Sequence, residues 1–298
     1  MKIPSPAALW SRSTRTARDD SPDGVRLLQQ ADTAAVRALV DTDPVAHSFV
    51  DAQLLATGSV APTSMAQYLG RFDGDRLVAA CWVGSNVVPV THDPDDGAAF
   101  GRSLVRLRRR FASVFGPSRA VRGMWDELRH GRQAAFDVRE SQPLLAMSTR
   151  PSFEERANVV RRAVLDEFDV LLPACAAMFE EELGYSPLQH GEAGYRSRVK
   201  WLIQSGHAFV ETDAAGRILF KAELGVVTPR VTQVQGVWMN PDRRGLGLAA
   251  SRMADVASVA LSVAPTVSLY VNDFNERALA TYSRVGFEQV GEFATVLF

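Results

Sequence analysis

One order of elements is written twice in this chain, and that repetition limits the fold more than any single motif does. VRLLQQADTAAVRALV, from Val25, reads as a strand, a cap at Asp32 and a helix. VVRRAVLDEFDVLLPACAAMFEEELG, from Val159, reads the same way with Asp166 as the cap. YLGRFDGDRLVAACWV is a strand, a turn at Asp73–Gly74 and a second strand. HAFVETDAAGRILFKAEL repeats it about 140 residues later, with the turn near Asp213–Gly216. The pattern predicts an internal duplication: a tail over 1–24, a first domain over 25–150 and a second over 151–298. The junction QPLLAMSTRPSFEERANVV reads as a short linker.

The chain of 298 residues is 46% hydrophobic and 22% charged, so both halves can bury a core. A net charge of −1 creates no whole-chain field for nucleic acid or an anionic membrane, and neither is expected as a partner. The basic run RSLVRLRRR sets Arg102, Arg106 and Arg110 on one helical face. Without interleaved aromatic residues it reads as a solvated face. The first 24 residues lack the apolar segment of a secretory signal and predict a disordered tail. Cys81 and Cys175 stand far apart, and the five histidines form no pair at metal-ligand spacing. The expectation is a cytoplasmic protein without disulfide or metal.

In the second half Val231–Met239 reads as a strand, with Gln233, Gln235, Val237 and Met239 on one face. Asn240-Pro-Asp-Arg-Arg-Gly-Leu-Gly-Leu follows, then a helix predicted over Gly245–Ser262. A strand over Val267–Val271 leads to a capping box, Asp273-x-x-Glu276, and a helix closed by Gly286. Alternating strands and helices predict a mixed α/β fold.

A strand that enters a helix through glycines presents unpaired helix N–H groups, which favour a phosphate. Gly245 and Gly247 would let an anion approach the amides, and Arg244 would add a charge-assisted bond. Gly245-Leu-Gly247-Leu-Ala-Ala250 also fits a dinucleotide fingerprint, but only 53 residues follow Gly245, too few for the βα units that fingerprint opens. No Gly-Lys-Ser/Thr follows, which excludes a P-loop.

These residues resemble the GNAT superfamily of N-acetyltransferases. Arg244-Gly-Leu-Gly247-Leu-Ala249 matches its Arg/Gln-x-x-Gly-x-Gly/Ala turn, GVWMNP looks like its fourth strand, and Asn275-x-x-Ala278-x-x-x-Tyr282-x-x-x-Gly286-Phe287 matches its downstream signature. The resemblance covers about residues 158–298. More narrowly, the chain resembles a two-domain bacterial subgroup in which an uncharacterised domain precedes the GNAT domain. It implies an acyltransferase acting on an amine, with acetyl-CoA as co-substrate; joined to the repeat of the two halves, it makes the chain two tandem GNAT-like domains. It places the co-substrate on Val237, Trp238, Met239, Arg244, Gly245, Leu246, Gly247, Leu248, Ala249, Ala250 and Asn275. Tyr282 would protonate the departing thiolate, and backbone N–H groups near Val237–Met239 would hold the thioester oxygen.

The base departs from the family pattern. Gln233 stands where many relatives carry Glu, and an amide cannot take the proton. Glu223, on the adjacent strand, is the substitute; proton loss through water and an acceptor that arrives neutral stay open beside it. That departure keeps a second reading in view, a regulatory module that binds acyl-CoA without turnover. A third is an interaction protein with a vestigial fold.

In the first half, THDPDDGAAFGRSL is the counterpart of WMNPDRRGLGLAAS. Asp95 and Asp96 stand where Arg243 and Arg244 would, and would repel a pyrophosphate. Trp125 falls at the position of Tyr282 and has no comparable proton to give. The first half therefore reads as a degenerate copy.

Overall fold

The computed structural model describes residues 23–107, 109–152, 154–189 and 192–298. Apart from Asp23 and Gly24, the tail predicted over 1–24 lies outside them.

The first half runs β1 (Val25–Leu27), α1 (Thr33–Val40), α2 (Ser48–Thr57), β2 (Gln67–Asp73), β3 (Arg76–Val83), β4 (Asn86–Val90), α3 (Pro94–Leu107), β5 (Ser113–Pro117), α4 (Ser118–Leu128) and β6 (Asp137–Met147). The second half repeats that order: β7 (Arg161–Arg162), α5 (Phe168–Leu183), α6 (Glu192–Gln204), β8 (Ala208–Thr212), β9 (Ile218–Val227), β10 (Val231–Met239), α7 (Ala249–Ala260), β11 (Thr266–Tyr270), α8 (Glu276–Val285) and β12 (Glu288–Leu297). The duplication read from sequence is thus present as the same succession of elements.

All the strands join one mixed sheet in the order β1-β2-β3-β4-β5-β12-β6-β11-β10-β9-β8-β7. The two halves have exchanged their last strands. β12 pairs with β5 of the first half, β6 pairs with β11 of the second, and β6 and β12 lie antiparallel at the centre. The sheet crosses the boundary expected at residue 150 twice. Residues 142–147 of the predicted linker are the end of β6, in mid-sheet.

Each half keeps its own apolar core. In the second, Met253, Val256 and Ala257 of α7 pack on Val234 of β10, Leu269 of β11 and Tyr282 of α8. In the first, Phe100, Leu104, Val121 and Met124 pack under Ala294 and Val296, which belong to β12. Arg230, in the β9–β10 turn, reaches Asp41 at 2.7 Å and buried Asp51 at 3.1 Å, tying the halves together.

Three helix starts differ from their predicted positions. α7 begins at Ala249, because Gly245 and Gly247 hold φ of +75° and +72° and cannot continue a right-handed helix. α8 is capped by Asn275, whose Oδ1 accepts from the Ala278 amide at 3.2 Å, leaving Asp273 outside the helix. Before α5, Glu167 rather than Asp166 accepts from a backbone N–H, that of Val164 at 3.0 Å.

Candidate active site

The site is built around a strand that leaves its neighbour. β10 pairs with β9 along its length but with parallel β11 only over Val231–Gln233. From Val234 onward the edge of β10 that faces β11 has no ladder partner, so its amides are free for another acceptor. The strand is also bulged. Gln235 pairs with Glu223 and Trp238 with Lys221, so Gly236 and Val237 oppose the single residue Ala222. Gly236 takes φ +58° there, which places an L side chain under strain.

Beyond β10, Asn240 caps a short 3-10 turn at Pro241–Arg243, its Oδ1 accepting from the Asp242 amide at 3.0 Å. Gly245 and Gly247 follow with open space where their Cβ atoms would be. Leu248 ends the loop, and α7 starts with Ala249 and Ala250 without any side chain capping its first amides. The helix therefore presents unpaired donors and the positive end of its dipole. Leu246 and Phe274 stand exposed nearby in the sequence of the two loops.

Arg244 is braced rather than free. Its Nε donates to the Met239 carbonyl at 2.8 Å, and Nη2 donates to both Glu181 carboxylate oxygens at 2.8 and 2.9 Å. Trp238 Nε1 donates to the same carboxylate at 3.2 Å. The free cation of the loop is Arg243, whose guanidinium has no partner among the described residues. It stands one residue before the family signature, which begins at Arg244.

Tyr282 lies on α8, in the same core as β10 and α7. Burial, reinforced by the negative charge of Glu182, pushes its phenol up to about 12, so the proton stays on at neutral pH. Asn275 spends its side-chain oxygen on the helix cap and leaves its amide nitrogen unengaged among the described residues.

Glu223 sits behind the bulge, fully buried. Its carboxylate accepts from Arg198 at 2.7 Å, Gln235 at 3.1 Å and Lys221 at 3.3 Å. Burial alone would raise its pKa, but the charges of Lys221 and Arg198 outweigh that and hold it below the ordinary value. The sequence pattern could not assemble this cluster, because Arg198 comes from α6. Gln233 is buried where the two strands part.

The first half has a similar parting of strands, β4 pairing with parallel β5 only at Asn86 and Val87, but not the glycine loop beyond it. Residues 91–93 join β4 directly to α3, where residues 240–248 join β10 to α7. Asp93 caps α3 by accepting from the Asp95 amide at 2.8 Å, and buried Asp96 pairs with Arg71 and Thr91. Pro89 lies beyond the last pair of β4 with β5 and has no backbone N–H to offer a ligand there. Trp125 packs edge-on against Phe298.

Residues 175–287 match the family model described as the acetyltransferase (GNAT) family. The match to the GNAT family lies within the second half. It is preceded by a domain of unknown function, DUF4081, matched over residues 66–171. Over 98 residues the chain is 37% identical to the mycothiol acetyltransferase of Acidimicrobium ferrooxidans, a match that covers 31% of this chain and 31% of that protein. A GCN5-related N-acetyltransferase from Sphaerobacter thermophilus superposes with a TM-score of 0.58 at 17% identity, covering 91% of this chain and 94% of that one. A GNAT-family acetyltransferase from Colwellia psychrerythraea gives 0.55 at 13% identity, over 92% and 99%. At such identities the likeness is one of fold, and it extends over both halves. Among the described residues no group of His, Cys, Asp or Glu is arranged to hold a metal, and no helix is long and apolar enough to cross a membrane.

Proposed function

We propose that the protein is an acetyl-CoA-dependent N-acetyltransferase that moves the acetyl group directly to a primary amine within a ternary complex. The observation that carries this reading is the parting of β10 from β11 at Gln233, beside a bulge and an uncapped helix. A strand edge without a ladder partner and a helix without a side-chain cap follow one another there, which suits a ligand with an amide-bearing arm and a pyrophosphate.

The co-substrate would lie against Val237, Trp238 and Met239, with its phosphates at Arg244–Ala250. Asn275 would contribute its free amide nitrogen and Arg243 its free charge. Acetyl-CoA supplies an activated thioester. Backbone N–H groups at the β10 bulge donate to the oxygen that becomes negative. Tyr282 gives its proton to the departing sulfur, a role that fits a phenol kept protonated by burial. Ionised Glu223 draws the proton lost by the amine through water, from behind Gly236. Its three donors weaken it as a base, so an acceptor that arrives neutral makes the smallest demand on it.

That same feature favours the second reading, a module that binds acyl-CoA without turnover, since Glu223 is fully paired. Calorimetric titration with acetyl-CoA, followed by CoA release over a panel of primary amines, separates the two. Amine-dependent release that Tyr282→Phe abolishes supports the enzyme. Binding near one equivalent with no release for any amine supports the module. No binding to the wild-type chain sinks both.

A further inference from the structure

A second concavity lies in the first half, at the carboxyl ends of α3 and α4, and shares no lining residue with the candidate active site. Its volume is about 710 Å³. Arg109, Arg110 and Arg132 stand on its wall over an apolar floor of Leu104, Phe111 and Leu128, and no acidic side chain lines it. These arginines are not the solvated helix face read from RSLVRLRRR. α3 ends at Leu107, so Arg110 lies beyond the helix, whereas Arg102 is closed off by Asp23 and Glu127 at 2.8 Å each.

The charge of this concavity is in excess of what the fold uses. Arg106, also on the wall, is committed to Asp23 at 2.9 Å. Arg109 donates to the Met65 carbonyl at 3.0 Å, which fixes the side chain and leaves its charge uncompensated. Arg110 and Arg132 are exposed and make no hydrogen bond or ion pair among the described residues. The two helix ends that meet here carry roughly half a negative charge each, enough to balance about one arginine. The guanidinium groups of Arg110 and Arg132 thus stand without a side-chain counter-charge over a buried apolar floor, whose Phe111 ring is held edge-on by Phe298 at 5.1 Å.

We propose that this cavity binds an organic phosphate of nucleotide size, with Arg110 and Arg132 on the phosphates and the apolar floor under the base. The guanidinium fork matches phosphate oxygens in pairs, and the volume falls in the range of about 300–1,000 Å³ usual for small-molecule sites. An extended nucleic acid would need a continuous cationic track; here the free arginines converge on a hollow.

ATP is the probe, titrated calorimetrically without magnesium at low ionic strength into the wild type, Gly247→Glu and Arg110→Glu/Arg132→Glu. Gly247→Glu blocks the glycine loop of the second half, so the loss of ATP binding at that loop is separated from its loss at the cavity. The expected result is ATP binding that survives Gly247→Glu and weakens at least about thirtyfold in the double arginine variant, whose thermal midpoint is unchanged. The milder Arg110→Gln/Arg132→Gln should weaken it about tenfold. Two equivalents, with one lost in each variant, support the site equally. No ATP binding at millimolar concentration, or binding that the arginine variants keep, overturns it. So does a single-stranded oligonucleotide that binds where ATP does not. Equal affinity for inorganic pyrophosphate and ATP removes the role given to the floor.

Discussion

Gly236 stands directly against the carboxyl group of Glu223: a Cβ on Gly236 would lie 3.0 Å from Glu223 Cδ. The contact joins the bulge that frees the strand amides to the charge buried behind it. Gly236 also holds φ +58°, so Gly236→Ala adds about 1–2 kcal/mol of backbone strain to a crowded contact. The expected outcome is a modest fall in thermal midpoint and a drop in kcat of tenfold or more, with acetyl-CoA affinity changed less. Unchanged kcat would show that the bulge has no part in the transition state.

Tyr282→Phe removes one oxygen from a buried, well-packed side chain, so the fold should tolerate it. Amine-dependent CoA release should fall by about 10²–10⁴, the usual worth of a placed general acid, while the acetyl-CoA dissociation constant stays within about threefold. Because burial and Glu182 push the phenol up to about 12, loss of its proton should not limit kcat anywhere up to pH 9. A wild-type kcat that declines with a Tyr282-dependent midpoint below pH 9 would contradict that environment.

Glu223 makes a prediction about acid. Its carboxyl is depressed in the folded chain, so its stabilising contribution is complete above the unfolded value of about 4.3 and is lost as pH falls through the folded value. Glu223→Gln leaves Lys221, which is 1% exposed, and Arg198 without their counter-charge. Breaking a buried cluster in this way costs about 3–5 kcal/mol. Urea midpoints should differ widely between wild type and variant at pH 7 and draw together as pH falls below the unfolded value of about 4.3 and through the folded value. A constant difference across that range would mean the carboxyl is not held depressed.

How far the sequence spoke is clearest from this same region. The limits of β10 were readable because alternating residues and the following Asn-Pro are local signals, and so was the glycine loop. The start of α7 was not, because Leu and Ala after Gly247 read as helix until the left-handed φ values are known. The charges on Glu223 come from β9 and α6 together, and the brace on Arg244 comes from α5, so neither pairing leaves a trace in local spacing. The exchange of β6 with β12 is hidden for another reason. Each strand's alternation would satisfy either neighbour, and nothing in ten residues says which sheet half they will enter.

That exchange leads to the last prediction. β12 carries Ala294 and Val296 into the first-half core while its own helix, α8, packs in the second. Neither half completes its sheet alone, so the two should unfold as one unit. A calorimetric scan should give a single transition whose van't Hoff and calorimetric enthalpies agree. Val296→Ala, at a side chain 1% exposed, should cost about 2 kcal/mol. By native-state hydrogen exchange that loss should appear in the most protected amides of β10 and α7 as well as in those of β5, although Val296 touches the first-half core. Protection lost from β5 alone, or two separate transitions, would make the halves independent and reduce the strand exchange to a matter of packing.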